Sequence, residues 1–241
     1  MTPLAMAREL DDALLLLRAN EPEIGTLVLQ TRGELAAALA CDAAIDAHRD
    51  HWFVRETTGF LRRTLQRLDV SSRSLFAIID DRSCFAGSLF ELALAADRSY
   101  MRADGPQVAL SPLNFGGLEM INGRTRLAAR FNEDAVEFAP GPYDGAAAAA
   151  QGLVTFAPDE LDWEDEVRLA LEERASLSPD ALTGMEANLR FAGPETVATK
   201  IFARLSAWQN WVFARPNATG ENGALKRYGS GGKGRFDWER V

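Results

Sequence analysis

The sequence predicts an α/β fold that ends in a helix-only region, and three observations carry that prediction. Short apolar runs at 26–31, 75–79 and 108–110 alternate with alanine- and leucine-rich stretches of helical spacing. Glycine and proline punctuate the junctions, as at Pro22, Gly25, Gly87, Gly116, Gly117, Gly123 and Gly152. After Leu161-Asp162-Trp163 the strand-like runs stop and acidic first turns (Glu164, Asp165, Glu166) announce helices alone. Alternation of this kind argues for an α/β fold with crossover connections.

Each element follows in order. Residues 3–19 have apolar positions at helical spacing, and Glu21-Pro22-Glu23-Ile24-Gly25 breaks them. The segment 26–31 is a short buried strand, and 35–47 and 54–68 are helices. Strand 75–79 leads through a polar turn and Gly87 into a helix over 88–96, with Ser88 and Glu91 as an S-x-x-E capping box. A strand at 108–110, a helix at 125–131, a helix at 143–151 and a strand at 153–156 complete the α/β part. Ser178-Pro179-Asp180 and Gly193-Pro194-Glu195 start two further helices, the second carrying Ile201, Phe202, Leu205, Trp208, Trp211 and Val212. Residues 217–235 read as a basic, glycine-rich surface tail. Within it, Gly231-Gly232-Lys233-Gly234 is a poor phosphate-loop candidate, with no following Ser or Thr and no preceding strand. The division expected is an α/β core over 1–176 and a helical region over 177–241.

Composition narrows the function classes. A chain of 241 residues that is 47% hydrophobic can bury a sizeable core. Its net charge of −9 argues against broad nucleic-acid binding, which needs a basic stripe. No apolar run approaches the roughly 20 residues that span a bilayer, so no membrane partner is expected. Met1 to Arg8 show no basic region followed by an apolar core, and the two cysteines, Cys41 and Cys84, are too few for a disulfide framework; a cytoplasmic location is expected. His48 and His51 lie three apart on a helix-like stretch without a convincing third ligand, so no metal is expected. They are also the only histidines, and no Ser/His/Asp triad can be assembled. Arg62, Arg63 and Arg67 read either as a solvated helix face or as a landing place for phosphates.

The stretch 78–97 is the most informative. A strand, a glycine turn and a helix start place free backbone N–H groups and a positive dipole end together, suited to a carbonyl oxygen that becomes negative during reaction. It resembles the oxyanion-turn segment of the crotonase (enoyl-CoA hydratase/isomerase) superfamily, roughly G-G-G-x-E-L-A-x-x-x-D: Gly87, Glu91, Leu92, Ala93 and Asp97 match, with only the first glycine kept. Gly152-Leu153-Val154 after an alanine-rich helix is similar to the end of the crotonase core. The chain from Ala7 to its end is similar to one branch, the benzoyl-CoA-dihydrodiol lyases of aerobic benzoate breakdown, where it corresponds to the carboxyl-terminal half. The landmarks are His51 to Thr57, Leu68 to Ala77, Ser111 to Gly116 and Trp208-Gln209-Asn210-Trp211.

The resemblance implies a crotonase-like ββα-spiral core that lacks its first strands, followed by carboxyl-terminal helices. It implies a CoA-thioester ring-opening lyase that uses water and releases formate, with coenzyme A as part of the substrate and no separate cofactor. Its partners would be an acyl-CoA-type small molecule and either an amino-terminal crotonase-like half or further copies in a dimer or trimer. Glu91 takes the place of a catalytic carboxylate, Gly87 and Ser88 that of the second oxyanion donor, and Cys84, in the preceding turn, that of a ligand contact or a buried thiol. Two parts of the family pattern are absent: the first oxyanion turn, where Gly33 is the only nearby small turn residue, and the second carboxylate, where Leu110-Ser111-Pro112-Leu113 holds no acid. Three readings stay open: part of the lyase, a degenerate supporting domain, or a stand-alone hydratase or isomerase using Glu91, itself either catalytic or a helix cap.

Overall fold

The computed structural model describes residues 3–131, 137–138, 141–190 and 195–239. The order is α1 (Pro3–Asn20), β1 (Thr26–Leu29), α2 (Leu35–Ala47), α3 (Trp52–Asp69), β2 (Ser74–Ile79), a 3-10 turn (Gly87–Leu89), α4 (Phe90–Ala95), β3 (Arg98–Met101) and β4 (Gln107–Ala109). A second 3-10 turn (Pro112–Phe115), α5 (Arg126–Arg130), β5 (Pro142–Asp144) and α6 (Gly145–Ala150) follow. Then come α7 (Trp163–Ala175), α8 (Pro179–Arg190), α9 (Val197–Thr199), a wider π turn (Lys200–Leu205), α10 (Ser206–Phe213), α11 (Pro216–Thr219) and α12 (Ala224–Arg227).

The central sheet is parallel in the order β1-β2-β3, with Leu27 opposite Leu75 and Ile78 opposite Tyr100. Every residue of β2 is buried, and its side chains divide with the strand's period of two. Leu75, Ala77 and Ile79 enter the main core with Leu61, Leu65 and Phe90. Phe76 and Ile78 point to the other face, against Tyr100, Ala170, Trp163 and Val167. α7 therefore covers one face of the sheet while α3 and α4 cover the other. α3 buries Thr57, Leu61, Thr64, Leu65 and Leu68, the spacing of one helical face, and packs against α1. Each fully buried leucine contributes about 1.5–3 kcal/mol of transfer free energy.

Several expectations need correction. β3 was not legible: Arg98-Ser99-Tyr100-Met101 is too short and too polar, and it is a strand only because β2 offers it an edge. The strand expected at 153–156 is an isolated bridge of Phe156 to Tyr100, with the Thr155 and Phe156 amides donating to Ser99 O. Tyr143 lies in β5 rather than in the following helix, which starts at Gly145 after Asp144 caps it by accepting from the Ala147 N–H at 2.8 Å. The tail expected from 217 contains α11 and α12 and is pinned by buried Asn217, which bonds Asp180 at 2.9 Å and both backbone groups of Asp237. The helix start read at Gly193-Pro194 lies outside the described residues. α8 packs on α10 where Gly184 leaves room for Trp208 and Val212. Among the described residues no helix is long and apolar enough to cross a membrane.

Candidate functional site

The site lies beyond the carboxyl ends of β1 and β2, where two turns meet. Asp80 organises the turn after β2, accepting from the Arg82 N–H at 3.0 Å and from Arg32 at 2.7 and 2.8 Å. Against the cost of its burial, Arg32 and that amide hold the Asp80 carboxyl below its ordinary range. The Gly33 N–H donates to Arg82 O at 3.2 Å, and the Cys84 N–H donates to Thr31 Oγ1 at 2.9 Å. Gly33 and Cys84 are therefore neighbours: a Cβ on Gly33 would stand 3.3 Å from Cys84 Sγ. They share a cavity of about 500 Å³ with Thr31, Cys41, Ser88 and Leu92, while Glu91 is not among its lining residues. Burial, then the adjacent Asp42 charge, push the Cys41 thiol up, which makes it a poor nucleophile at neutral pH.

At the next turn Gly87 has φ +53°, a left-handed conformation that favours glycine. A side chain there would also collide with Asp42, whose Oδ2 lies 1.9 Å from the position a Cβ would take. Asp42 comes from α2 and is 1% exposed. It accepts the Ser88 N–H at 2.7 Å, the Ser88 hydroxyl at 2.6 Å and the Ser111 hydroxyl at 2.7 Å. Three donors thus converge on one buried carboxylate, in the strong charge-assisted form of the bond. The amide that the sequence assigns to an oxyanion already has an anion.

Glu91 points the other way, into a buried network. Its Oε1 accepts from Asn114 Nδ2 at 2.7 Å and its Oε2 from Arg126 Nη1 at 2.8 Å. Arg126 also grips Asp69 through Nε at 3.1 Å and Nη2 at 2.6 Å, and Asn114 reaches Gly87 O at 2.9 Å. Burial pushes the Glu91 carboxyl up, opposed by Arg126 and Asn114; burial likewise raises Asp69. The expected capping box of Ser88 and Glu91 is not formed: neither residue caps α4, because Asp42 and Arg126 take their polar atoms. The box occurs instead at Ser111, whose hydroxyl accepts from Leu113 N while its own N–H donates to Asn114 Oδ1 at 2.8 Å.

The turn thus brings Gly33, Cys84 and Ser88 to one cavity and separates Glu91 from it. Sequence reading missed Asp42, Asn114, Arg126 and Asp69. A signal existed for Asp42, a lone acid within Leu39-Ala40-Cys41-Asp42-Ala43-Ala44 of an otherwise apolar turn. Arg62, Arg63 and Arg67 of α3 form no common patch: Arg62 meets Glu119 at 3.4 Å, Arg67 pairs with Asp11, and Arg63 lies over the Phe60 ring at 5.9 Å. His51 caps α3, its Nδ1 accepting the Phe53 N–H at 3.3 Å.

Comparison with known proteins bears out the resemblance and the fold. The chain is 60% identical to the benzoyl-CoA-dihydrodiol lyase of Aromatoleum evansii over 99% of its own length, and it spans 45% of that protein. No protein-family model matches it. An enoyl-CoA hydratase of Geobacillus kaustophilus superposes with a TM-score of 0.73 at 15% identity, over 98% of this chain and 88% of that one. An enoyl-CoA hydratase of Bacillus anthracis gives 0.71 at 18% identity, over 98% and 90%. The fold is that of the crotonases.

Proposed function

From a crotonase-fold chain that spans less than half of a 60% identical lyase, we propose that this polypeptide is the supporting half of a CoA-thioester ring-opening lyase. The whole protein would open a non-aromatic, oxygenated benzoyl-CoA ring with water and release formate, in the cytoplasm. Coenzyme A would belong to the substrate, with no separate cofactor. The partner of this half would be an amino-terminal crotonase-like half, or further copies of itself. The single observation that carries the supporting role is the Asp42 carboxylate seated on the Ser88 N–H at 2.7 Å. An amide bonded to a buried anion cannot also stabilise an enolate oxygen, and losing an oxyanion donor costs about 10²–10³ in rate. Glu91, committed to Arg126 and Asn114, is held out of the cavity as a structural carboxylate. Loss of a positioned proton carrier costs a further ~10²–10⁴.

The test is turnover of crotonyl-CoA and of a dihydrodiol or epoxide of benzoyl-CoA by the purified chain, beside Glu91→Gln. No turnover by either protein is expected. Robust turnover that Glu91→Gln abolishes would overturn the supporting role and favour a stand-alone hydratase or isomerase.

A further inference from the structure

Two sequence landmarks, 68–77 and 208–211, meet at the opposite end of the sheet, where β1 and β2 begin. There a cleft of about 330 Å³ opens between the end of α1, the turn after α3, and Thr183 and Trp208 of the carboxyl-terminal helices. Its lining holds three arginines, Arg18, Arg67 and Arg73, and no carboxylate, in a chain whose net charge is −9. Arg67 is paired with Asp11 behind it. Arg18 makes no ion pair among the described residues.

Arg73 is 5% exposed, and its Nη2 donates to Leu17 O at 2.7 Å and Glu21 O at 2.8 Å, while Nε meets no acceptor. Burial, and then the charge of Arg18, push the Arg73 guanidinium down, as expected for two cations brought together without an anion between them. The adjoining turn is fixed from behind, because Arg190 takes the carbonyls of Leu68, Ser71 and Arg73. That leaves the Ser72 hydroxyl at the cleft without a partner among the described residues.

We propose that this cleft is a binding site for a phosphate group. Arg18 and Arg73, which no carboxylate pairs among the described residues, and the Ser72 hydroxyl match the acceptors of a phosphate, and a partly desolvated setting strengthens each contact. The alternative is that Arg18 and Arg73 only complement the carboxyl end of α1; that role involves no ligand.

The experiment is calorimetric titration of the whole chain with inorganic phosphate at constant ionic strength, balanced with sodium chloride, with benzoate as the carboxylate probe. Saturable one-site binding of phosphate is expected, with benzoate weaker. Arg18→Ala should weaken it about tenfold, the scale of one charge-assisted contact, while its urea midpoint stays unchanged. Arg73→Met should abolish binding, and Arg18→Ala keeps the test decisive if Arg73→Met does not fold. Absence of saturable heat, equal affinity in Arg18→Ala, or tighter binding of benzoate than of phosphate would overturn the proposal.

Discussion

Asp42 and Ser88, 46 residues apart, are joined twice: the carboxylate accepts both the Ser88 amide at 2.7 Å and the Ser88 hydroxyl at 2.6 Å. This pair fixes α2 to the turn that opens α4 and occupies the amide that the sequence resemblance assigns to an oxyanion. This and three other features of the structure can be tested by measurement.

Asp42→Ala removes the acceptor of three buried donors and should lower stability by about 3 kcal/mol, since each unsatisfied group costs about 1–3 kcal/mol. Urea unfolding followed by far-UV circular dichroism reads the loss. A change under about 0.5 kcal/mol would mean that the Ser88–Asp42–Ser111 cluster does not hold α2 in place.

Arg126→Met leaves Glu91 and Asp69 buried without their cation and should cost about 3–5 kcal/mol. Glu91→Gln keeps the Arg126–Asp69 pair and should cost less. The reverse ranking, from the same urea titrations, would contradict the network as described.

Stability should carry a pH signature from Glu186 on α8. Its carboxyl, bonded to Ser74 at 2.6 Å, is pushed up to about 8 by burial first and then by Asp97, against Arg190. Arg174 at 3.2 Å also faces it. A carboxyl that binds its proton more tightly folded than unfolded contributes stability that is full below about pH 4.5 and lost as pH rises through about 8. Glu186→Gln should therefore flatten the decline in the urea midpoint between pH 5 and 9. Parallel pH profiles for the two proteins would remove Glu186 as its source.

The isolated chain should self-associate. Among the described residues β1 is an edge strand of the sheet, with Val28 45% exposed, and Val197 and Phe202 are 70% and 78% exposed in the last helical run. Unpaired edges and apolar surface both invite a partner. Light scattering at micromolar concentration checks this; a monodisperse monomer would contradict it.

The sequence by itself determined the α/β class, the bounds of α2, and the strand–turn–helix at 75–96, because local periodicity and glycine placement encode them within a few residues. It also carried the crotonase resemblance, since Gly87, Glu91, Leu92, Ala93 and Asp97 are close neighbours in the chain. Only the tertiary structure decided what those residues do. Ser88 and Glu91 have the spacing of a capping box, but that spacing states no more than which partner is nearest in sequence. Asp42 and Arg126, 46 and 35 residues away, provide charged partners in a buried setting, where a charge-assisted bond outweighs a local neutral one. β3 was invisible because Arg98 to Met101 are too few and too polar to show a strand pattern, and the edge of β2 that makes them a strand exists only in the folded chain.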